Sequence, residues 1–461
     1  MSIWVGALLA ASQIALVVLS PGLTHAAVKN FADIAPLVGL LSASAAVGLV
    51  YMHSIRAIPA RLSRASPFWP MVGLGLAMRL VWFAAAPPLE DDFYRYLWDG
   101  AAVASGRSPY ALSPAQAATG QSGTPPFDQL AEIGRSTLKR INFPEYTSIY
   151  PGAAQLAFGA AHLVAPWSVD GLRLIFAIAD VATLGIMFRL LDELNRPRML
   201  AALYWCNPLV VFAGAATVHV DLLLGPLVLG AMFAAYRMRS IACSALLALA
   251  VGVKIWPILL APLIARAHLD GRRYPVIAIF VFGIAAAILL APLFAASFTD
   301  RSGLAAYAAH WQNNNAPFTW LCGLFDCLSR DDSRWTAKTL RSLSGVSAAA
   351  VAVIIAMRPI EDLRDLLGRA LIVAATAFYL SPAQFPWYAL WFLPLAAAVQ
   401  CWPLLLASVT LPVYYLFFPM AAMGERALFQ NGVAVLHAAP VWAWLLWRRI
   451  HDQKTHCASR A

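Results

Sequence analysis

Apolar residues along this chain neither alternate nor keep to one helical face. They run together in stretches of about 18 to 22 residues, the length a helix needs to cross a bilayer, separated by short polar links. Read as helices, the stretches fall near 3–20, 34–53, 68–87, 151–166, 171–191, 199–213, 219–236, 242–265, 275–297, 343–357, 369–383, 387–400, 402–419 and 431–447. Some are too short to cross alone, and 199–213 reads as re-entrant. The expected fold is an all-α polytopic membrane protein of about 12 to 14 transmembrane helices, with residues 1–461 forming one integral-membrane unit. The run 3–20 lacks the basic residues that open a secretory signal and is followed by further spans, so it reads as the first transmembrane helix.

Two polar intervals are long, 88–150 and 298–342, and both are rich in aromatic residues. The links carrying Arg56, Arg61 and Arg64, then Arg266, Arg272 and Arg273, then Arg358, Arg364 and Arg369, and the tail after Arg448, read as cytoplasmic by their basic excess. Alternation then sets both termini inside and both long loops outside. Arg196, Arg198, Arg237 and Arg239 run against this pattern, since alternation places them outside as well.

Composition agrees with the pattern. The chain is 61% hydrophobic and 12% charged, where soluble domains carry about a quarter charged residues. Its net charge of +10 is scattered through short loops and forms no stripe, which argues against nucleic acid as a partner. The six cysteines show no metal-ligand spacing. Cys206, Cys243 and Cys401 lie in or beside apolar runs, where a buried thiol is inert, while Cys322 and Cys327 in "CGLFDC" leave a disulfide open.

Charge collects at one place, "EDDFYRYLWDG", residues 90–100. After Pro87-Pro88 the chain can form a proline-free helix over 92–104, with Phe93, Tyr96, Leu97 and Trp98 giving apolar cover, and this helix is expected along the membrane surface. Asp92, Arg95 and Asp99 share one helical face, expected to meet water, with Asp91 at the helix start. One reading is a solvated helix in which Arg95 pairs with Asp91 or Asp99. The other is a general base at the mouth of a membrane cavity, because two adjacent acids do not both ionise cheaply and one takes a raised pKa.

Other polar residues interrupt apolar runs. Lys254 in "GVKIWP" either snorkels or pairs with an acid, or else faces a cavity and holds a phosphate, with Pro257 breaking the helix to aim it. Arg79 offers a second cation on the span leading into the motif or else snorkels, and Asp180 reads as the partner of Arg79 or Lys254. His219 and Asp221, two apart, do not share a helical face and make poor metal geometry; they read as a packed polar pair. His310, Trp311 and Asn313 are candidates to stack on and hydrogen-bond a sugar, or belong to an ordinary loop. Tyr150-Pro151 and, later, Pro382, Pro386, Trp387 and Tyr388 are candidate walls of the site.

The segment "EDDFYRYLWDGAAVASGRSPY" resembles the first external loop of the C-type integral-membrane glycosyltransferases, in particular glycosyltransferase family 87 and related bacterial mannosyltransferase-like proteins. The resemblance continues through "YPGAAQLAF", "NPLVVFAGAATVHVDLLL", "LALAVGVKIWPILLAPLI" and "SPAQFPWYALWFLPLA", and covers about 68 to 400. The surroundings of Lys254 also resemble the first mannosyltransferase of glycolipid-anchor synthesis. What the resemblance implies is transfer of a sugar, mannose-like, from a polyprenyl phosphate to a glycan or glycolipid acceptor at the external, periplasmic face of a bacterial inner membrane. The family's acidic base falls on Asp91 or Asp92, with Asp91 favoured as the first of the pair. The resemblance also raises the standing of His219 and Asp221 as binding residues. This chain departs from the pattern in having two spans before the motif-bearing one and Ala101-Ala102 where a basic residue is common.

A lipid-linked donor fits a site at the membrane boundary, where its chain stays in hydrocarbon and its sugar meets water. The expected site is therefore Asp91 and Asp92 as catalytic acids, with Arg95, Asp99, Tyr150, His219, Asp221, Lys254, His310, Trp311 and Trp387 binding substrate. Paired aspartates leave a divalent ion open as cofactor, although no complete ligand set is visible. The competing functions are a transporter or flippase for a lipid-linked saccharide, and a ligase. A transporter places its ionisable groups near mid-membrane in paired halves, whereas here they gather in the long loops.

Overall fold

The structure is a computed structural model that describes residues 3–28, 35–56, 68–119, 125–270, 276–329 and 333–458. Among them the secondary structure is helical, and the single extended feature is an isolated bridge between Asn313 and Ala383. Six helices are long and apolar enough to cross a membrane, beginning at Ile3, Leu37, Val169, Val276, Thr336 and Trp402. A seventh candidate, Arg198–Trp205 with Pro208–Ala216, is bent by 55° at Cys206 and Asn207. Five shorter apolar helices fill the rest, among them Trp69–Ala84, Val220–Tyr236 and Ser240–Val253. The protein is thus an all-α multi-pass membrane protein.

The outer face is hydrocarbon. In the helix Val276–Ala296 only Ala278, Ala286 and Leu293 are buried, while Ile277, Phe280, Ile284 and Ile288 are exposed, as suits a surface solvated by lipid. Short helices gather at the centre because their termini must be satisfied inside the protein. Asn207 does so for the bent pair: its Oδ1 accepts from the backbone of Leu209 and Val210, and its Nδ2 donates to Ser408 Oγ at 3.0 Å.

Arg79 does not snorkel. It is buried, its Nε donates to Asp180 Oδ2 at 2.6 Å, and Nη1 donates to the carbonyls of Gly75 and Trp205. Tyr204 donates to the other oxygen of Asp180. This network joins three helices, and it settles Asp180 on Arg79 and away from Lys254.

The charged motif does form a helix, Phe93–Ala104, but not a half-solvated one. Phe93, Tyr96 and the whole run Leu97–Ala102 are buried. The cause is close packing along Gly152–Val164. A Cβ built on Gly100 would lie 2.4 Å from the carbonyl oxygen of Phe158, and one on Gly159 would lie 2.8 Å from Val103. Asp99, expected to face water, is instead fully buried. It accepts hydrogen bonds from Ser148 Oγ and Gln155 Nε2, tying the following loop to this helix pair.

The interval 298–342 is more structured than its polarity suggests. It contains the helices Gly303–His310 and Ala316–Ser329, and Cys322 and Cys327 are free thiols on the second of these. Five residues apart on one helix, they are not joined. The Asn313–Asn315 run stitches this interval to the later turn. Asn313 exchanges backbone bonds with Pro382 and Gln384, while the amides of Asn314 and Asn315 donate to the carbonyls of Gln384 and Ser381.

Candidate active site

Three breaks in regular structure build one site. The first is Leu89, a non-glycine residue with a left-handed backbone (φ +64°), which turns Glu90, Asp91 and Asp92 inward ahead of the Phe93 helix. Asp92 occupies the N-cap position yet makes no capping bond, so its carboxylate is left to face the interior. The second break is at Lys254. The helix Ser240–Val253 stops there, Lys254 is extended (φ −146°, ψ 150°), and a 3-10 turn resumes at Trp256 with Pro257 at its start. The third lies between Ala216 and Val220, where Val218 is left-handed (φ +60°) and His219 is extended.

These breaks meet at a cavity of about 890 Å³. Of the expected residues, Asp91, Asp92, Arg95, Tyr150, Asp221, Lys254, His310, Trp311 and Trp387 line it. His219 stands just behind, its ring stacked on Trp387 at 3.9 Å and its Nδ1 4.0 Å from Asp92 Oδ2. Asp99 does not reach the cavity wall.

Lys254 Nζ is 2.8 Å from Asp221 Oδ1 and lies 3.9 Å over the ring of Tyr388. Trp391 Nε1 donates to the same oxygen of Asp221 at 2.6 Å. Asp221 Oδ2 is buried and has no hydrogen-bond partner among the described residues. His219 and Asp221 are therefore not a pair with each other; the helix break sends one to Trp387 and Asp92 and the other to Lys254.

Arg95 binds neither Asp91 nor Asp99. Its Nη2 donates to the carbonyls of Phe143 and Tyr146, which shapes the loop over the cavity. From that loop Asn142 Nδ2 donates to Asp91 Oδ1. Asp92, 35% exposed within the cavity, has its pKa raised to about 7, first by removal from bulk water and then by the charge of Asp91, with Lys254 acting in the opposite direction. Burial, more than the neighbouring acids, pushes Glu90 well above the usual carboxylate range.

Aromatic rings wall the rest. Tyr307 and Tyr388 share a hydroxyl hydrogen bond of 2.7 Å, and Phe385 stacks on Trp387 at 4.6 Å. Such faces accept sugar rings as well as isoprenoid chains. Several lining residues lacked a sequence signal that separates them from ordinary membrane aromatics or loop residues: His25, Asn142, Tyr307, Tyr414, Phe418 and Arg426. Glu90 did carry one, as the first acid of the motif itself. Among the described residues no group of three or more His, Cys, Asp or Glu side chains is placed to hold a metal ion.

A family model described as alpha-(1->6)-mannopyranosyltransferase, N-terminal domain, matches residues 1–270, more than half of the chain. The matched span carries the acids, Asn142, Asp221 and Lys254, whereas Tyr307, Trp387, Tyr388 and Trp391 close the cavity from beyond it. No curated protein and no solved structure matches the chain. The protein belongs to this alpha-(1->6)-mannopyranosyltransferase family, and it is a membrane glycosyltransferase.

Proposed function

From that membership we propose that the protein moves a mannose-like hexose from a polyprenyl-phosphate donor to a glycan or glycolipid acceptor at the external face of a bacterial inner membrane. The observation that supports this reading best is the convergence of an adjacent acid pair and the Asp221-paired ammonium of Lys254 on one aromatic-walled cavity. Asp91 is the general base. It takes the proton of the acceptor hydroxyl as that oxygen bonds the anomeric carbon, and the bond from that carbon to the phosphate oxygen breaks. The electron pair leaves with the polyprenyl phosphate, which Lys254 receives. One displacement inverts the anomeric configuration.

Asp221 explains how a buried ammonium waits for an anion. It holds Lys254 in a charge pair through one of its two oxygens, and because an ammonium carries three N–H donors, the arriving phosphate can share the cation without leaving it unpaired. His310 and Trp311 bind the sugar and acceptor faces, while Trp387, stacked between His219 and Phe385, presents its edge to the cavity wall. Arg95 and Tyr150 shape the wall, and Asp99 serves the fold.

The test is incubation of the purified protein with a panel of radiolabelled polyprenyl-phosphate sugars and mannoside acceptors. Transfer from a mannose donor is expected, lost in Asp91→Asn and severely reduced in Asp92→Asn. Near-normal turnover in both variants and in the double variant would remove the general base from this pair. Transfer only from nucleotide sugars would remove the lipid-linked donor.

A further inference from the structure

We infer that His25 is a positioning residue for Asp91, holding both the strained turn that presents the acid and the carboxylate itself; the inference rests on the reading of Asp91 as general base. His25 opens a short helix, His25–Val28, that follows the first long helix and the 3-10 turn Ser20–Leu23. This segment reaches the turn before the acids from outside their own loop, with His25 64 residues from Leu89 in sequence.

It grips Leu89 at both ends of its peptide. The Leu89 N–H donates to the Leu23 carbonyl at 2.6 Å, and the Leu89 carbonyl accepts from His25 Nδ1 at 3.0 Å. Leu89 is the residue that most needs this, because a left-handed backbone is costly for a side chain bearing a Cβ and persists only where its surroundings over-determine it. Glu90 N–H closes the turn on the Pro88 carbonyl at 2.7 Å.

The other ring nitrogen faces the acid. A carbonyl can only accept, so Nδ1 carries a proton, and Nε2 faces Asp91 Oδ2 at 3.7 Å, where it attracts the carboxylate when it too is protonated and the ring is an imidazolium. Asn142 holds the opposite oxygen of Asp91. The carboxylate is thus set between an imidazolium and an amide, while the same ring fixes the backbone two residues earlier. Phe418 packs edge-on against the ring at 5.0 Å and limits its rotation. A general base must lie within hydrogen-bond reach of the proton it takes, so fixing its direction belongs to catalysis even though His25 touches no substrate in this role.

The experiment measures steady-state transfer from a radiolabelled mannosyl polyprenyl phosphate to a short α-mannoside in wild type, His25→Ala, His25→Asn and Asp91→Asn. Misplacing a reacting group by about 1 Å costs on the order of 10²-fold, so His25→Ala is expected to lower kcat by that order while leaving the donor KM within about twofold. His25→Asn, whose amide can reach the Leu89 carbonyl as Nδ1 does, is expected to restore part of the loss. A purely structural role would not give this split or this graded rescue. Wild-type kcat in His25→Ala and His25→Asn alongside an inactive Asp91→Asn overturns the inference alone. An active Asp91→Asn overturns the general-base reading instead, and the inference with it. If His25→Ala does not fold, His25→Asn and His25→Gln decide the matter, and wild-type kcat in both overturns it.

Discussion

At the scale of single residues the site turns on who neutralises whom. Asp92 holds its proton up to about pH 7 because its removal from bulk water into the cavity resists its charge and Asp91 adds repulsion. The sign follows. A carboxyl with a raised pKa in the folded state contributes its full stability below the ordinary carboxylate range, and loses it as pH rises through about 7. Catalysis runs the other way, because ionised Asp92 adds negative charge beside the base. We expect kcat to rise with pH through about 7 and Asp92→Asn to abolish that inflection. A wild-type profile flat across neutrality would contradict it. For Lys254→Met, loss of the cation beside Asp221 and Tyr388 is expected to raise the donor KM about tenfold and to lower kcat, with a smaller effect on the acceptor KM. Unchanged kinetics in a folded variant would return Lys254 to a structural role.

At the scale of elements, function depends on where helices stop. Lys254 reaches the cavity because its helix ends at Val253, and the acids do because Leu89 adopts a left-handed turn before theirs begins. The Phe93–Ala104 helix is held in place by small residues against Gly152–Val164. Gly100→Ala would drive a methyl into the Phe158 carbonyl region, where an added Cβ would lie 2.4 Å from the oxygen. Overpacking of this kind costs about 1–3 kcal/mol. The expected outcome is a lowered thermal midpoint in detergent together with reduced transfer, because the acids ride on the displaced helix. An unchanged midpoint would mean that the helices separate without cost.

At the scale of the whole molecule the arrangement must be oriented in the bilayer. From the excess of basic residues in the links we expect the acid-bearing loop outside and the 358–369 turn inside, the orientation that the proposed lipid-linked donor and external acceptor require. In a background whose own cysteines are replaced, Ser108→Cys, at an exposed position of the first long loop, is expected to react with an impermeant thiol reagent in intact cells. Glu361→Cys, exposed in the opposite turn, is expected to react only after lysis. The reverse pattern would place the cavity on the cytoplasmic side and contradict the external reaction.

The sequence by itself determined the solvent, the fold class and the acidic motif. Apolar runs of spanning length have no other stable home, and a charge cluster beside them stands out against hydrocarbon. It also located the helix stop near Pro257, because proline is a local signal, whereas the bend at Cys206 and Asn207 within the segment read as re-entrant is seen only in the structure. Only the tertiary structure decided the partners. Arg95 took carbonyls of the Phe143–Tyr146 loop in place of the acids at helical spacing, and Lys254 took Asp221 in place of Asp180. Asp99 left the solvated face for Ser148 and Gln155. His25 met Asp91 across 66 positions of the chain, since the two lie at residues 25 and 91. Helical periodicity reports which residues share a face, but in a membrane protein every buried polar group must find a partner inside the protein. That partner is chosen by which helices pack together, and it leaves no periodic trace in the chain.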